Sequence, residues 1–425
     1  MPHPSAIRDV CSQHAVLVDR QGSVGVAPVG DNKAWKVPIE IMLDLPRLRS
    51  YYPVILTAEF MRLHGIDQSN ELLTGHWNRD IHQHENMASF HAIPNPQFDD
   101  DVFRVDTVFP FLSNLSRTDD LTEKDTQIDA GFREAAGEGK KHLSWDNAVH
   151  ILRSNGHYID DDATAEMLMN HGGWVVTYTY EGLGGNEFAK SVVPSTREIL
   201  PRSHVRGWVE DFTMDVDVLL LEGEIHLERK PASLRFATSA ARDNYTHFVL
   251  SYMQPTSPLI LLSEKLAKRM TRLSHGRGWF STHMRRGDFI RIGWVKDQSL
   301  EAHLKHVKDV FEQGRKKLTS GRFWFWSGGM PRRDDPYFVA TDERTKESLT
   351  YIRKNGAITI YELLTDEDRR QIGWPLLFTD VLGIVEQRIA ASSMFFYGPA
   401  LSSLSGGVLN IRATMGLDSS SWIVD

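Results

Sequence analysis

Two adjacent arginines, Arg285 and Arg286, stand in the run His283-Met284-Arg285-Arg286-Gly287-Asp288-Phe289, directly after the apolar stretch Gly278-Trp279-Phe280. A guanidinium is a planar fork that stays charged and matches the geometry of a phosphate. Two of them emerging from a strand can hold a diphosphate and stabilise the charge that develops as one departs. Asp288 can orient one of the pair. The competing reading is a strand-end salt bridge between Asp288 and either arginine. Arg286-Gly287-Asp288 also spells an adhesion tripeptide, but it sits in a strand-to-helix transition and not in a displayed loop.

Two more polar clusters follow short apolar runs. Thr341-Asp342-Glu343 comes after Phe338-Val339-Ala340, where carboxylates can bind ribose hydroxyls or cap the next helix. Ser402-Ser403-Leu404-Ser405-Gly406-Gly407 comes after Met394 to Gly398; small hydroxylated residues with glycines let a backbone approach a ligand, and a helix starting there offers N–H groups to a phosphate. His76, His82, His84, Glu85 and His91 invite a metal hypothesis, yet His82-x-His84 lacks the i, i+4 spacing of a helical metal pair, and the cluster reads as a polar surface loop. No metal is expected.

The elements that position these clusters alternate. A helix is expected from about Pro258 to Leu273, with Leu259, Leu262, Leu266 and Met270 at spacings of three and four. A central strand over Gly278 to Met284 follows, then a helix near Leu300 to Leu318 and a strand at Phe338 to Ala340. A helix near Thr345 to Asn355, a strand at Ile358 to Tyr361, a helix near Pro375 to Ser392 and a strand at Met394 to Gly398 complete the series. Such alternation marks a parallel sheet with helices on both faces, whose ligands sit at the carboxyl ends of strands. The second half therefore reads as a Rossmann-like unit.

The first 70 residues show an α/β cadence: strands at Ala15 to Val18, Val37 to Ile39 and Pro53 to Leu56, a short helix over Leu43 to Leu48, and a helix capped by Thr57. From about His76 to Asp215 the pattern weakens, acids and bases crowd Thr118 to Lys141, and the stretch reads as an insertion with solvated loops. Strand character returns at Val216 to Leu221 and Ile225 to Leu227.

Composition bounds the function. The chain has 425 residues, with 48 basic against 56 acidic side chains and a net charge of −8, so an extended basic face for duplex DNA is not expected and any nucleotide is a small one. Cys11 is the lone cysteine, which excludes intramolecular disulfides and cysteine-rich zinc sites. No run of about 18 apolar residues is present and the first residues do not read as a secretory signal. Two sequons, at Asn114 and Asn244, would matter only in a secretory lumen.

Taken in order, the clusters resemble the GDP-fucose protein O-fucosyltransferases and their wider fucosyltransferase superfamily. The resemblance covers roughly Ile225 to Arg412. The family's His-x-Arg-Arg-x-Asp-Phe stretch matches His283, Arg285, Arg286, Asp288 and Phe289, and its Ala-Thr-Asp segment matches Ala340-Thr341-Asp342. Its Val-Asp-Gln, Phe-Ile-Gly and Ser-Thr-Phe-Ser patterns are similar to Val385-Glu386-Gln387, Phe396-Tyr397-Gly398 and Ser402-Ser403-Leu404-Ser405.

The resemblance implies a GT-B enzyme, two Rossmann-like domains facing a cleft, with residues 1–245 as the acceptor side, carrying the insertion at about 76–215, and residues 246–425 as the donor domain. It implies transfer of fucose from GDP-fucose to a protein or glycan hydroxyl by inverting displacement, without a metal or other cofactor. Arg285 takes the place of the family's catalytic arginine at the diphosphate. His283, Arg286, Asp288 and Asp342 lie with the donor. Glu386 replaces the aspartate that reads the guanine edge, Ser402 and Ser403 hold phosphate oxygens, Ser405 lies with the donor, and Leu404 replaces an aromatic near the base. The family works mostly in the secretory pathway.

One family feature has no counterpart: the Gly/Asn loop after the first strand, which in one branch carries a catalytic Glu. Gly22-Ser23-Val24-Gly25 is the nearest turn and has neither the Asn nor the acid. The chain is then either truncated at its N-terminus or a degenerate member that binds a GDP-sugar without turning it over.

Overall fold

The computed structural model describes residues 39–51, 54–56, 59, 87–91, 103–105, 125–137, 142–180, 195–206, 218–222, 234–291, 293, 295, 297–320, 328–400, 402–417 and 419–425. They fall into two compact units, one within Met1–His82 and Phe248–Asp425, the other within Gln83–His247.

Near the N-terminus, α1 (Ile39–Met42) and α2 (Leu45–Arg49) form where Asp44 caps the second helix by accepting from the Arg47 N–H. The helix expected over Leu43 to Leu48 is thus present. Ile39, expected in a strand, begins a helix instead. Val54 to Leu56 is not a strand either: the Leu56 N–H is taken at 2.7 Å by Glu59 Oε2, a side chain that competes with any ladder partner. The strand expected at Ala15 to Val18 and the Thr57 cap lie outside the described residues.

The unit within 83–247 contains β1 (Met87–His91), β2 (Phe103–Val105), α3 (Thr126–Ala136), β3 (Leu143–Ser144), α4 (Trp145–Ser154), α5 (Asp162–His171), β4 (Trp174–Tyr180), β5 (Ser195–Pro201), β6 (Val205–Arg206), β7 (Val218–Glu222) and β8 (Leu234–Arg235). β4 and β5 pair antiparallel over seven residues and carry β3 at the edge. Three helices close over this sheet with Phe132, Trp145, Leu152, Met169 and Trp174 in one core. Where the described residues 125–137, 142–180 and 195–201 were expected as solvated loops, they instead build helices and strands around a core. The charged residues of Thr118 to Lys141 include the outer face of α3, whose inner face buries Ile128, Phe132 and Ala136.

The chain then enters α6 (Ser239–Ser251) and α7 (Ser257–Leu273), the latter burying Leu259, Leu262, Leu266 and Met270 as their spacing requires. Next come β9 (Phe280–Met284), α8 (Gly287–Arg291), α9 (Leu300–Ser320), β10 (Tyr337–Thr341), α10 (Lys346–Lys354), β11 (Ala357–Ile358), α11 (Ile360–Leu363), α12 (Asp366–Ile372), α13 (Thr379–Ala391), β12 (Phe395–Gly398), α14 (Ser403–Thr414) and β13 (Trp422–Val424). The strand expected over Ile358 to Tyr361 stops at Ile358. Thr359 and Glu362 form a capping box that starts a helix there.

The five strands of this unit form one sheet in the order β11-β10-β9-β12-β13, every neighbouring pair parallel. Numbered along the chain, that is 3-2-1-4-5, the order of a doubly wound Rossmann-like sheet. The connection reverses direction between β9 and β12, and the crevice outside their carboxyl ends is where such sheets place ligands. All five residues of β9 are buried, as a central strand covered on both faces requires. Phe280 and Met284 join Val307, Phe311 and Phe395 in one core, while Ser281 hydrogen-bonds Ser393 Oγ at 2.7 Å on the other face.

Candidate ligand site at the switch of the parallel sheet

His283 is the fourth residue of β9, paired in register with Ala340 of β10. Its Nδ1 lies 3.4 Å from Ser405 Oγ, in the first turn of the helix that follows β12. Gly398 makes this approach feasible: a Cβ there would stand 2.5 Å from Ser405 Oγ. The first and third sequence clusters thus meet across the switch crevice. His283 is 3% exposed, and burial, with the Arg285 charge and His303 nearby, lowers its pKa to about 3. It is a neutral imidazole at physiological pH.

The two arginines divide sharply. Arg286 is buried, and its guanidinium is committed to protein acceptors: Nε to Glu343 Oε1 at 2.7 Å, Nη2 to the Gln298 carbonyl at 2.8 Å, and Nη1 toward His303 Nδ1 at 3.3 Å and the Asp297 and Ser299 carbonyls at 3.4 Å. It anchors the segment that leads into α9, instead of presenting its fork to a ligand. Arg285 has 37% of its side chain accessible, with Nε 3.5 Å from Asp342 Oδ2 and its guanidinium carbon 5.5 Å from the Phe289 ring centroid.

Asp342 organises both. Its Oδ1 accepts the Arg286 main-chain N–H at 2.8 Å, and its Oδ2 faces Arg285. Gly287 is required here, because a Cβ would fall 2.6 Å from Asp342 Oδ2. Thr341 Oγ1 donates to the Met284 carbonyl at 2.9 Å, tying the ends of β9 and β10 together. The second sequence cluster therefore partners the first. Helix capping, the competing reading for Asp342 and Glu343, falls to Thr345, which accepts the Ser348 N–H. Asp288 belongs to α8, and its side chain lies outside the described residues.

Beyond β12, Ser402 occupies the N-cap position of α14 without making a side-chain cap hydrogen bond. Ser402 and Ser405 are buried, Ser403 and Leu404 partly so. The first-turn N–H groups of a helix have no intrahelical acceptor and carry the positive end of its dipole, which suits an anion. Glu386 lies on α13, partly buried, with no hydrogen bond or ion pair among the described residues. Burial pushes its pKa up to about 8, against the opposing pull of Arg344.

The pairing of Glu343 with Arg286, and His303 altogether, were not apparent from the sequence, since Arg286 is 57 and 17 residues away from them. His303 is buried, and burial together with the Arg286 charge lowers its pKa to about 4. Its Nδ1 can then accept from Arg286. Among the described residues no group of three or more His, Cys, Asp or Glu is placed to hold a metal ion, and no helix is long and apolar enough to cross a membrane. His76, His82, His84 and Glu85 lie outside those residues, and His91 is in β1.

In comparisons with known proteins, the chain matches no family model and no curated protein.

Proposed function

We propose that this protein is a glycosyltransferase that takes fucose from GDP-fucose and delivers it to a hydroxyl of a protein or glycan. The observation that carries the reading is the approach of His283 to Ser405 at the switch between β9 and β12, with Arg285 two residues beyond His283 at the end of β9. In this reading the chain is a GT-B enzyme, and the sheet of β9 to β13 is its donor domain.

The diphosphate lies between Arg285 and the first turn of α14, with Asp342 orienting Arg285 and Arg286 holding Asp342's neighbours in place. The acceptor oxygen attacks the anomeric carbon as the bond to the β-phosphate oxygen breaks, with inversion. The electron pair leaves with GDP, and the acceptor proton passes to a base. Arg285 stabilises the charge that grows on the departing diphosphate, a contribution largest where donors are already in place. Glu386 reads the guanine edge, since an ionised carboxylate accepts two parallel bonds from N1–H and the 2-amino group.

The second reading is a GDP-sugar-binding protein without turnover, favoured by the lack of a sequence counterpart to the Gly/Asn loop. GDP release from GDP-fucose, followed with and without candidate acceptors, separates the two. Release abolished by Arg285→Ala supports the enzyme. Tight GDP-fucose binding with no release in any acceptor mixture overturns it in favour of the binder.

A further inference from the structure

The amino ends of β9 and β10 carry a surface unlike the crevice at their carboxyl ends. The chain from Ser274 to Gly278, between α7 and β9, packs backbone against backbone on the chain that leads into β10. The Gly278 N–H donates to the Gly329 carbonyl at 3.0 Å, and a Cβ on Gly328 would collide with the Gly276 carbonyl. Arginines brace the two loops. Arg277 Nε donates to Asp335 Oδ2 at 2.7 Å, and Arg315, near the end of α9, donates to the Pro331 carbonyl and, at 2.9 Å, to that of Arg332.

Other cations on this platform have no such task. Glu312, Arg315 and Lys316 share one face of α9 at spacings of three and four, and that face meets the loop, where Arg333 donates to Glu312 Oε2 at 3.0 Å. Arg333 still leaves 83% of its side chain exposed. Lys316 and Arg332 are exposed, and their side chains make no hydrogen bond or ion pair among the described residues. In a chain of net charge −8, positive charge is thus gathered at one edge of the sheet, beyond what the fold there uses.

We propose that this surface docks the protein on a membrane through anionic lipid headgroups. Two features favour lipid over an acidic protein. Leu273, the last residue of α7 and next to Ser274, is 44% exposed, and the sequence that joins Ser320 at the end of α9 to Gly328 is Gly-Arg-Phe-Trp-Phe-Trp-Ser. Apolar and aromatic residues among Lys and Arg are the composition of a membrane interface, where rings sit at headgroup level and cations meet anionic lipid. The inference goes beyond the GDP-sugar reading and does not rest on it. Because α9 runs from the carboxyl edge of the sheet back to its amino edge, a membrane held here leaves the candidate site at the carboxyl edge uncovered.

The test sediments the full chain with phosphatidylcholine vesicles, with and without about one quarter phosphatidylserine, and titrates it with polyglutamate as the acidic-polypeptide probe. The parent should bind the anionic vesicles about tenfold better than the neutral ones, and less well as salt rises. Replacing Arg332→Glu and Arg333→Glu together should weaken vesicle binding about tenfold, and Lys316→Glu alone about threefold. Lys316→Glu keeps the test valid if the double variant disturbs the loop. Lys346→Glu, an exposed lysine at the start of α10 by the opposite edge of the sheet, should stay within about twofold of the parent. No preference of the parent for anionic vesicles overturns the proposal. So does an equal loss in Lys346→Glu and Lys316→Glu, which would reflect net charge and not this surface. Binding of polyglutamate without binding of vesicles also overturns it, in favour of an acidic protein partner.

Discussion

His283 Nδ1 stands 3.4 Å from Ser405 Oγ, and this one approach joins the carboxyl end of β9 to the helix that follows β12. It is possible because Gly398 ends β12 without a side chain. Arg285 follows His283 at the end of β9, and Ser405 lies in the first turn of α14. The geometry of this approach depends on supports that can be tested separately.

Arg286→Ala should act on stability. The guanidinium is buried and holds Glu343 and three carbonyls, so its loss leaves those acceptors unpaired at a cost of about 3 kcal/mol. Denaturant unfolding of the variant checks this, with Arg286→Lys recovering only part because an ammonium lacks the fork.

Gly287→Ala should impair the site more than the fold. The new methyl stands 2.6 Å from Asp342 Oδ2, and the carboxylate must move off both the Arg286 N–H and Arg285. A loss of about tenfold in affinity for diphosphate ligands is expected, on the order of 1.4 kcal/mol, read by calorimetric titration.

Glu386 sets a pH dependence. Its folded pKa of about 8 lies above the ordinary 4.5, so between those values the native protein keeps a proton that the unfolded chain has released. Its contribution to stability is therefore full below pH 4.5 and lost as pH rises toward 8. Unfolding midpoints across that range should show the decline, and Glu386→Gln should remove this component. If the ionised carboxylate reads guanine, GDP affinity rises with pH up to about 8 and then levels.

His283 and His303 act at the acid end. Their folded pKa values, about 3 and about 4, lie below the ordinary 6.5, so the unfolded chain takes up protons that the native state refuses. Stability should fall as pH drops from 6.5 toward 4. His303→Gln should flatten that limb if Arg286 keeps an acceptor, as proteolysis or thermal melts at stepped pH would show.

Much of the C-terminal unit was legible because periodicity and burial agree there. Leu259, Leu262, Leu266 and Met270 mark α7, and the apolar run into His283 marks β9. The 125–201 core was hidden because Phe132, Trp145 and Trp174 sit among charges that belong to the outer helix faces. The capping box of Thr359 and Glu362 was written in the sequence as Thr-x-x-Glu and could have stopped the β11 strand where it ends. The pairing of Arg286 with Glu343 could not be read, since 57 residues separate them and only the β9–β10 alignment brings them together. On sequence distance alone, nearby Asp288 is the natural partner.

The most direct test of the account is GDP binding by the parent chain and by Arg285→Ala, measured as thermal stabilisation and by calorimetry at one ionic strength. A ligand that binds only the folded state raises its melting temperature. The account predicts clear stabilisation of the parent by GDP and a loss of about a hundredfold in affinity, near 2.7 kcal/mol, in the variant. Equal binding by both proteins, or no binding by the parent, would contradict it.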